Sequence, residues 1–187
     1  MQNLIEITEK NYGVKLDLRY ATTNNVCNIK LYKEARCYLH EEAAAALQRA
    51  VKIAVSYNLR FKIFDGFRPL KVQQFMFDKF PSNDPNGGFI SNPLTGSTPH
   101  CRGVAVDLTL LDANGNELEM GSDFDEFTDL AFHNCTRVSL TAKHNRELLL
   151  KIMTDAGWDF YSKEWWHYQL FNARSFAIIE EEFLSAV

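Results

Sequence analysis

The chain is 187 residues long, 46% hydrophobic and 24% charged, with a formal net charge of −4. That length and balance predict one folded domain over residues 1–187 with a substantial core. The acidic balance and the lack of any long basic run argue against nucleic acid and anionic membranes as partners.

Residues 1–13 show no basic stretch followed by an apolar one, as a signal peptide would. No apolar run approaches the roughly 18 residues of a membrane-spanning helix. The expectation is a soluble, cytoplasmic protein; oligomeric state is not readable from the sequence. Residues 14–20, VKLDLRY, alternate as a strand does, with Val14, Leu16 and Leu18 on one face. A polar, irregular stretch follows to residue 40. Residues 41–57 are alanine-rich with acidic residues first, which predicts a helix. RFKIFDG, 60–66, reads as a short strand, and Pro69 opens a second helix through PLKVQQFMFDKF.

Residues 81–99 are crowded with Pro, Gly, Ser and Asn, and form a long loop that is either functional or a surface excursion. An apolar strand then runs from His100 through Asp107, followed by a hairpin signal at Asn114-Gly115. Helices are expected over 123–132 and 142–156, the second capped by Gly157. EWWHYQL, 164–170, reads as a late strand and FAIIEEEFL, 176–184, as a short helix. Strands and helices mix without βαβ regularity, so the predicted class is α+β, a single domain with a mainly antiparallel sheet flanked by helices.

The four cysteines, Cys27, Cys37, Cys101 and Cys135, form no C-x-x-C pair, so reduced, mostly buried thiols are expected rather than a thiolate metal cluster. Fourteen Phe, seven Tyr and three Trp suggest a rigid core or an aromatic-walled pocket. Of five histidines, His40 precedes one helix and His144 lies in another. His144 and Glu147 make H-x-x-E, but Leu148 stands where an H-x-x-E-H zinc motif needs histidine. His133 stays unassigned. His167 sits among aromatics in EWWHY, three residues after Glu164. Catalytic zinc takes three N or O ligands and leaves a fourth position for water. His100, Asp107 and His167 supply such a set, and Glu164 is then the candidate base for the water. Either motif alone reads better as a core strand with an edge histidine and a solvated glutamate. Together they favour the metal.

H-x-x-G-x-A-x-D over 100–107 and E-x-W-H over 164–167 resemble the zinc D,D-peptidase family, and within it the VanX-type D-alanyl-D-alanine dipeptidases. DLRYATTNN (17–25), DGFRP (65–69), VDLTL (106–110) and MGSDFD (120–125) extend the resemblance in the family's order over about residues 12–172. It implies a D,D-peptidase or hedgehog-like fold, and one zinc per chain on His100, Asp107 and His167. It also implies Glu164 as base, Arg68 stabilising the transition state, and Asp65 orienting Arg68. A small dipeptide from cell-wall chemistry is the implied substrate. Asp125, or its neighbour Asp123, pairs with the substrate ammonium, and Tyr20 lies near it. Outside this resemblance, Arg68 reads as a surface residue capping a turn, and Tyr20 as strand packing. Where the family carries S-x-H, Thr98 stands for the serine, with Ser97 just before it. The hydroxyl is kept and a methyl added, which bears on substrate tightness.

Three other readings compete. One is a zinc L,D- or D,D-carboxypeptidase of peptidoglycan peptides, or an L-Ala-D-Glu peptidase. A second is a non-catalytic zinc-fold binding module, which needs neither Glu164 nor Arg68. The third is a hydrolase using Cys101; neighbours on a strand face opposite ways, which separates Cys101 from His100.

Overall fold

In the computed structural model of the chain, residues 4–80 and 88–180 are described. The elements run β1 (Leu4–Ile7), α1 (Glu9–Tyr12), β2 (Lys15–Leu16), β3 (Cys37–His40), α2 (Glu41–Ser56), β4 (Arg60–Asp65) and α3 (Leu70–Lys79). They continue with β5 (Ala105–Leu111), α4 (Leu140–Asp155), β6 (Asp159–Phe160) and β7 (His167–Gln169). β1 and β3 make a small antiparallel pair. The larger sheet has the order β2-β4-β5-β7-β6, with only β2 and β4 parallel. This is the expected α+β class with a mainly antiparallel sheet.

The helices form where their sequences favour them. On α2, Ala43, Ala46, Leu47, Ala50 and Ala54 are fully buried, so small side chains let the helix lie close to β4 and α4. Its first turn is capped by His40, whose Nδ1 accepts the Glu42 N–H at 3.3 Å. Ser139 caps α4 through its Oγ, which accepts the Ala142 N–H at 3.0 Å. α3 starts directly after Pro69.

Other expectations change. The strand over 14–20 shrinks to β2, because the chain turns into a 3-10 helix at Arg19–Ala21. The helix expected over 123–132 is instead a loop with one 3-10 turn at Asp129–Ala131. Its backbone is held from outside by buried Arg146 on α4. Arg146 Nε donates to Met120 O at 2.6 Å, Nη1 to Phe132 O at 2.9 Å, and Nη2 to Leu130 O at 2.8 Å and Ser122 Oγ at 3.3 Å. These side-chain bonds, rather than a helix ladder, satisfy much of the segment's backbone. Asn114-Gly115 does turn the chain, but only one bridge, Leu111 to Glu117, flanks it. Residues 176–180 are not helical; Ile179 N–H donates to Cys101 O at 2.9 Å. The rest of that expected helix, 181–184, and residues 81–87 of the long loop lie outside the described residues.

The centre of the sheet positions the site. Asp107 on β5 faces His167 on β7 in register, and Asp65 on β4 faces Asp107 from the other side. A bulge between Ile63 and Asp65 shifts that last pairing by one residue. Because side chains alternate, the extra residue brings Asp65 to the same face as Asp107.

Candidate active site

Asp107 and His167 come from neighbouring strands, whereas His100 comes from a 3-10 turn, Pro99–Arg102, that precedes β5. The expected strand placement of His100 is therefore corrected: the strand starts at Ala105. All three side chains are buried. His100 Nε2 lies 3.1 Å from His167 Nδ1 and 3.3 Å from Asp107 Oδ1; His167 Nδ1 lies 3.0 Å from that same oxygen.

The other ring nitrogens define what converges there. His100 Nδ1–H donates to Gly66 O at 2.7 Å, and His167 Nε2–H donates to Gln169 Oε1 at 3.2 Å. With both rings neutral and their hydrogens on these outer nitrogens, each would turn a lone pair toward the carboxylate. Three lone pairs at this separation repel unless a cation lies among them. Ligands about 2.0–2.1 Å from a tetrahedral zinc are about 3.3–3.4 Å apart, close to the spacing present. The donor set fits a three-ligand metal site with a position left open. Gly66 is needed for this arrangement, since a Cβ there would meet Cys37 Sγ at 2.8 Å and Tyr38 O at 2.9 Å.

Burial works against the Asp107 charge, but with no cation between them His100 and His167, once protonated, outweigh it and hold this carboxyl below its ordinary value. His167 is correspondingly raised, burial being overcome by Asp107. Glu164, also buried, has Oε2 3.8 Å from His167 Nδ1. Burial first, then Asp107 and Asp125, push its carboxyl up to about 8, against the pull of His167 and Arg68. Trp165 and Trp166 pack edge-on beside it at 5.4 Å, and Trp165 Nε1 donates to Ser122 Oγ at 2.9 Å.

Arg68 is buried beside Asp65 and Asp107. Its Nε and Nη2 both donate to Asp65 Oδ2, at 3.0 and 2.9 Å, and Nη2 is 3.6 Å from Asp107 Oδ2. Asp65 Oδ1 accepts from Tyr32 at 2.7 Å. The Arg68 guanidinium lies 4.9 Å over the Tyr20 ring, and Tyr20 OH donates to Asp125 Oδ2 at 2.8 Å. Asp125 takes a left-handed backbone (φ 61°), and burial lifts its carboxyl to about 7 although Tyr20 and Arg68 oppose this. A cavity of about 480 Å³ joins these groups to Phe77, Phe89, Phe127 and Tyr161.

A family model described as D-Ala-D-Ala dipeptidase matches residues 2–185. The chain belongs to the D-Ala-D-Ala dipeptidase family. The D-alanyl-D-alanine dipeptidase of Escherichia coli (strain K12) is 36% identical over 170 residues, covering 91% of this chain and 86% of that protein. The Enterococcus faecium D-alanyl-D-alanine dipeptidase is 31% identical over 175 residues, covering 85% and 87%. Among solved structures, Serratia marcescens L-Ala D-Glu endopeptidase ChiX matches with a TM-score of 0.43 at 14% identity, covering 71% of this chain and 80% of that one.

In this dipeptidase-family chain the remaining sequence expectations fall unevenly. Asp125 lines the cavity, whereas Asp123 is exposed and lines a neighbouring groove. Thr98 is 1% exposed and does not line the cavity; Ser97 and Pro99 on either side of it do. Thr98 holds a left-handed conformation (φ 43°), and its buried Oγ1 has no hydrogen-bond partner among the described residues. Cys101 is fully buried on the same turn as His100, and burial pushes its thiol up to about 11, far from a reactive thiolate. Sequence reasoning missed Tyr32, Gln73 and Gln169. Only Gln169, two residues after His167 on one strand face, left a readable spacing.

Proposed function

We propose that this chain, acting as one domain, hydrolyses D-Ala-D-Ala with a single zinc held by His100, Asp107 and His167. The observation that supports it is the outward commitment of both imidazole hydrogens, to Gly66 O and Gln169 Oε1, which leaves three lone pairs facing one point. Bound there, zinc supplies a Lewis acid that activates a water and polarises the scissile carbonyl.

Glu164 takes the proton of the attacking water and passes it to the leaving amine. Its carboxyl, up to about 8 without a metal, falls as positive charge is added beside it, and so becomes a base at neutral pH. Arg68 faces the oxygen on which negative charge builds, a role worth roughly 3–4 kcal/mol for one oriented donor. Asp65 holds Arg68, and Tyr32 holds Asp65. Asp125, with Tyr20 fixing its orientation, accepts the free ammonium of the dipeptide; desolvated near pH 7, it gains most from a cation at that place.

Purified protein is expected to bind one zinc per chain, and chelation to abolish hydrolysis. Glu164→Gln keeps the metal and loses about 10²–10⁴ in kcat. Full turnover of D-Ala-D-Ala by metal-free protein would falsify the proposal. Equal turnover of the N-acetylated dipeptide would remove the role given to Asp125.

A further inference from the structure

Asp65 grips Arg68 through one oxygen only. Both Nε–H and Nη2–H end on Oδ2, because Oδ1 already accepts from Tyr32. A single accepting point is a pivot about which the guanidinium plane can turn. The far corner, Nη1, donates instead to Gln73 Oε1 at 3.1 Å. Gln73 lies in the first turn of α3, where side chains lean back toward the helix start and so reach the residue before Pro69. It is 2% exposed, and its Nε2 donates to Ser91 O at 2.7 Å. Ser91 lines the cavity, and its Oγ accepts the Thr98 N–H at 3.3 Å.

We propose that Gln73 is a positioning residue that fixes the plane of Arg68 against the cavity wall formed by Ser91. The inference rests on the role given to Arg68 above. An amide suits this place because it has one acceptor and one donor side, and each meets its complement. It also holds a guanidinium without neutralising it. A glutamate would be a third carboxylate around Arg68, beside Asp65 and Asp107, and would set an oxygen against Ser91 O. The positive charge would then be less available to the reacting carbonyl.

A double-mutant cycle of Gln73→Met and Arg68→Lys, assayed on zinc-loaded protein with D-Ala-D-Ala, tests this. Gln73→Met is expected to lower kcat about 10- to 100-fold, since a misplaced catalytic group commonly costs that much. KM should stay within about threefold and metal content should not change, because the loss falls on the transition state. In the Arg68→Lys background the same substitution should cost less than about threefold, as no guanidinium remains to be turned. Gln73→Glu should also lower kcat, although it fills the same volume and still accepts from Arg68. Should Gln73→Met fail to fold, Gln73→Asn, too short to reach both partners, carries the same expectations. Unchanged kcat in a folded Gln73→Met protein, or losses that multiply in the double variant, overturns the inference. Full kcat in Arg68→Lys alone overturns the role of Arg68 instead.

Discussion

Arg146→Met is expected to cost about 2–3 kcal/mol of stability, chiefly from two carbonyls left unpaired. The side chain is 2% exposed and donates to three carbonyls and one hydroxyl of the 120–132 segment. Leaving a buried acceptor unpaired costs about 1–3 kcal/mol. Met120 O, whose bond is fully buried, bears about 2 kcal/mol of that and the part-buried Leu130 carbonyl about 1, whereas Phe132 O keeps the Cys135 N–H at 3.0 Å, so the loss is about 3 kcal/mol together. One term opposes this. Burial lowers the Arg146 pKa, so its charge is held at some expense, and removing it offsets part of the loss. Thermal unfolding should then fall by about 4–12 °C in a chain of this length. Arg146→Lys keeps the charge, but one ammonium cannot span three carbonyls, so it should be destabilised at least as much. A loosened segment also displaces Asp125, so KM for the dipeptide should rise more than kcat falls. The reasoning fails if urea unfolding places Arg146→Met within about 0.5 kcal/mol of the parent, or if lysine restores full stability.

Two further substitutions test neighbouring ground. A Cβ on Gly121 would sit 2.6 Å from Val138 Cβ and 3.1 Å from Ala142 Cβ at φ 80°, so Gly121→Ala should lose about 3 kcal/mol or more; an unchanged urea midpoint would refute this. His133 Nε2 is buried without a hydrogen-bond partner among the described residues, and burial, aided by Arg146, pushes the ring down to about 4. Between pH 6.5 and 4 the unfolded chain therefore binds a proton that the folded chain refuses. Stability should fall by about 2 kcal/mol from this group as pH drops from 7.5 to 5. His133→Phe should flatten that part of the slope, and parallel pH profiles for the two proteins would count against it.

The readable elements were those whose stabilisation is local. α2 has its alanine face and acidic first turn, α3 its proline, and α4 the glycine just past its end, Gly157, all within a few residues of sequence. The segment 123–132 failed for the converse reason. Its conformation is decided by Arg146 from another helix, and by Phe124 and Phe127 stacking on Phe64 and Phe89. The metal-ligand types and Glu164 stood out through spacing, because strand periodicity brings Asp107 and His167 to one face. The bulge that turns Asp65 toward them has no local signature, since Phe64 is an ordinary strand residue. Gln73 was equally hidden. Nothing in PLKVQQF distinguishes an amide facing Arg68 from one facing solvent.

The row formed by Asp107 and His167 also bears on how a bound metal would leave. Both residues are paired into the middle of the sheet, β5 lying between β4 and β7, so their backbones cannot shift without breaking ladder hydrogen bonds. His100 is different, since a short turn carries it and it is tethered through Gly66 O. Were a metal held by these three side chains, as proposed, its release to a chelator would begin at the turn-borne His100, and the strand-borne Asp107 and His167 would be the last to let go.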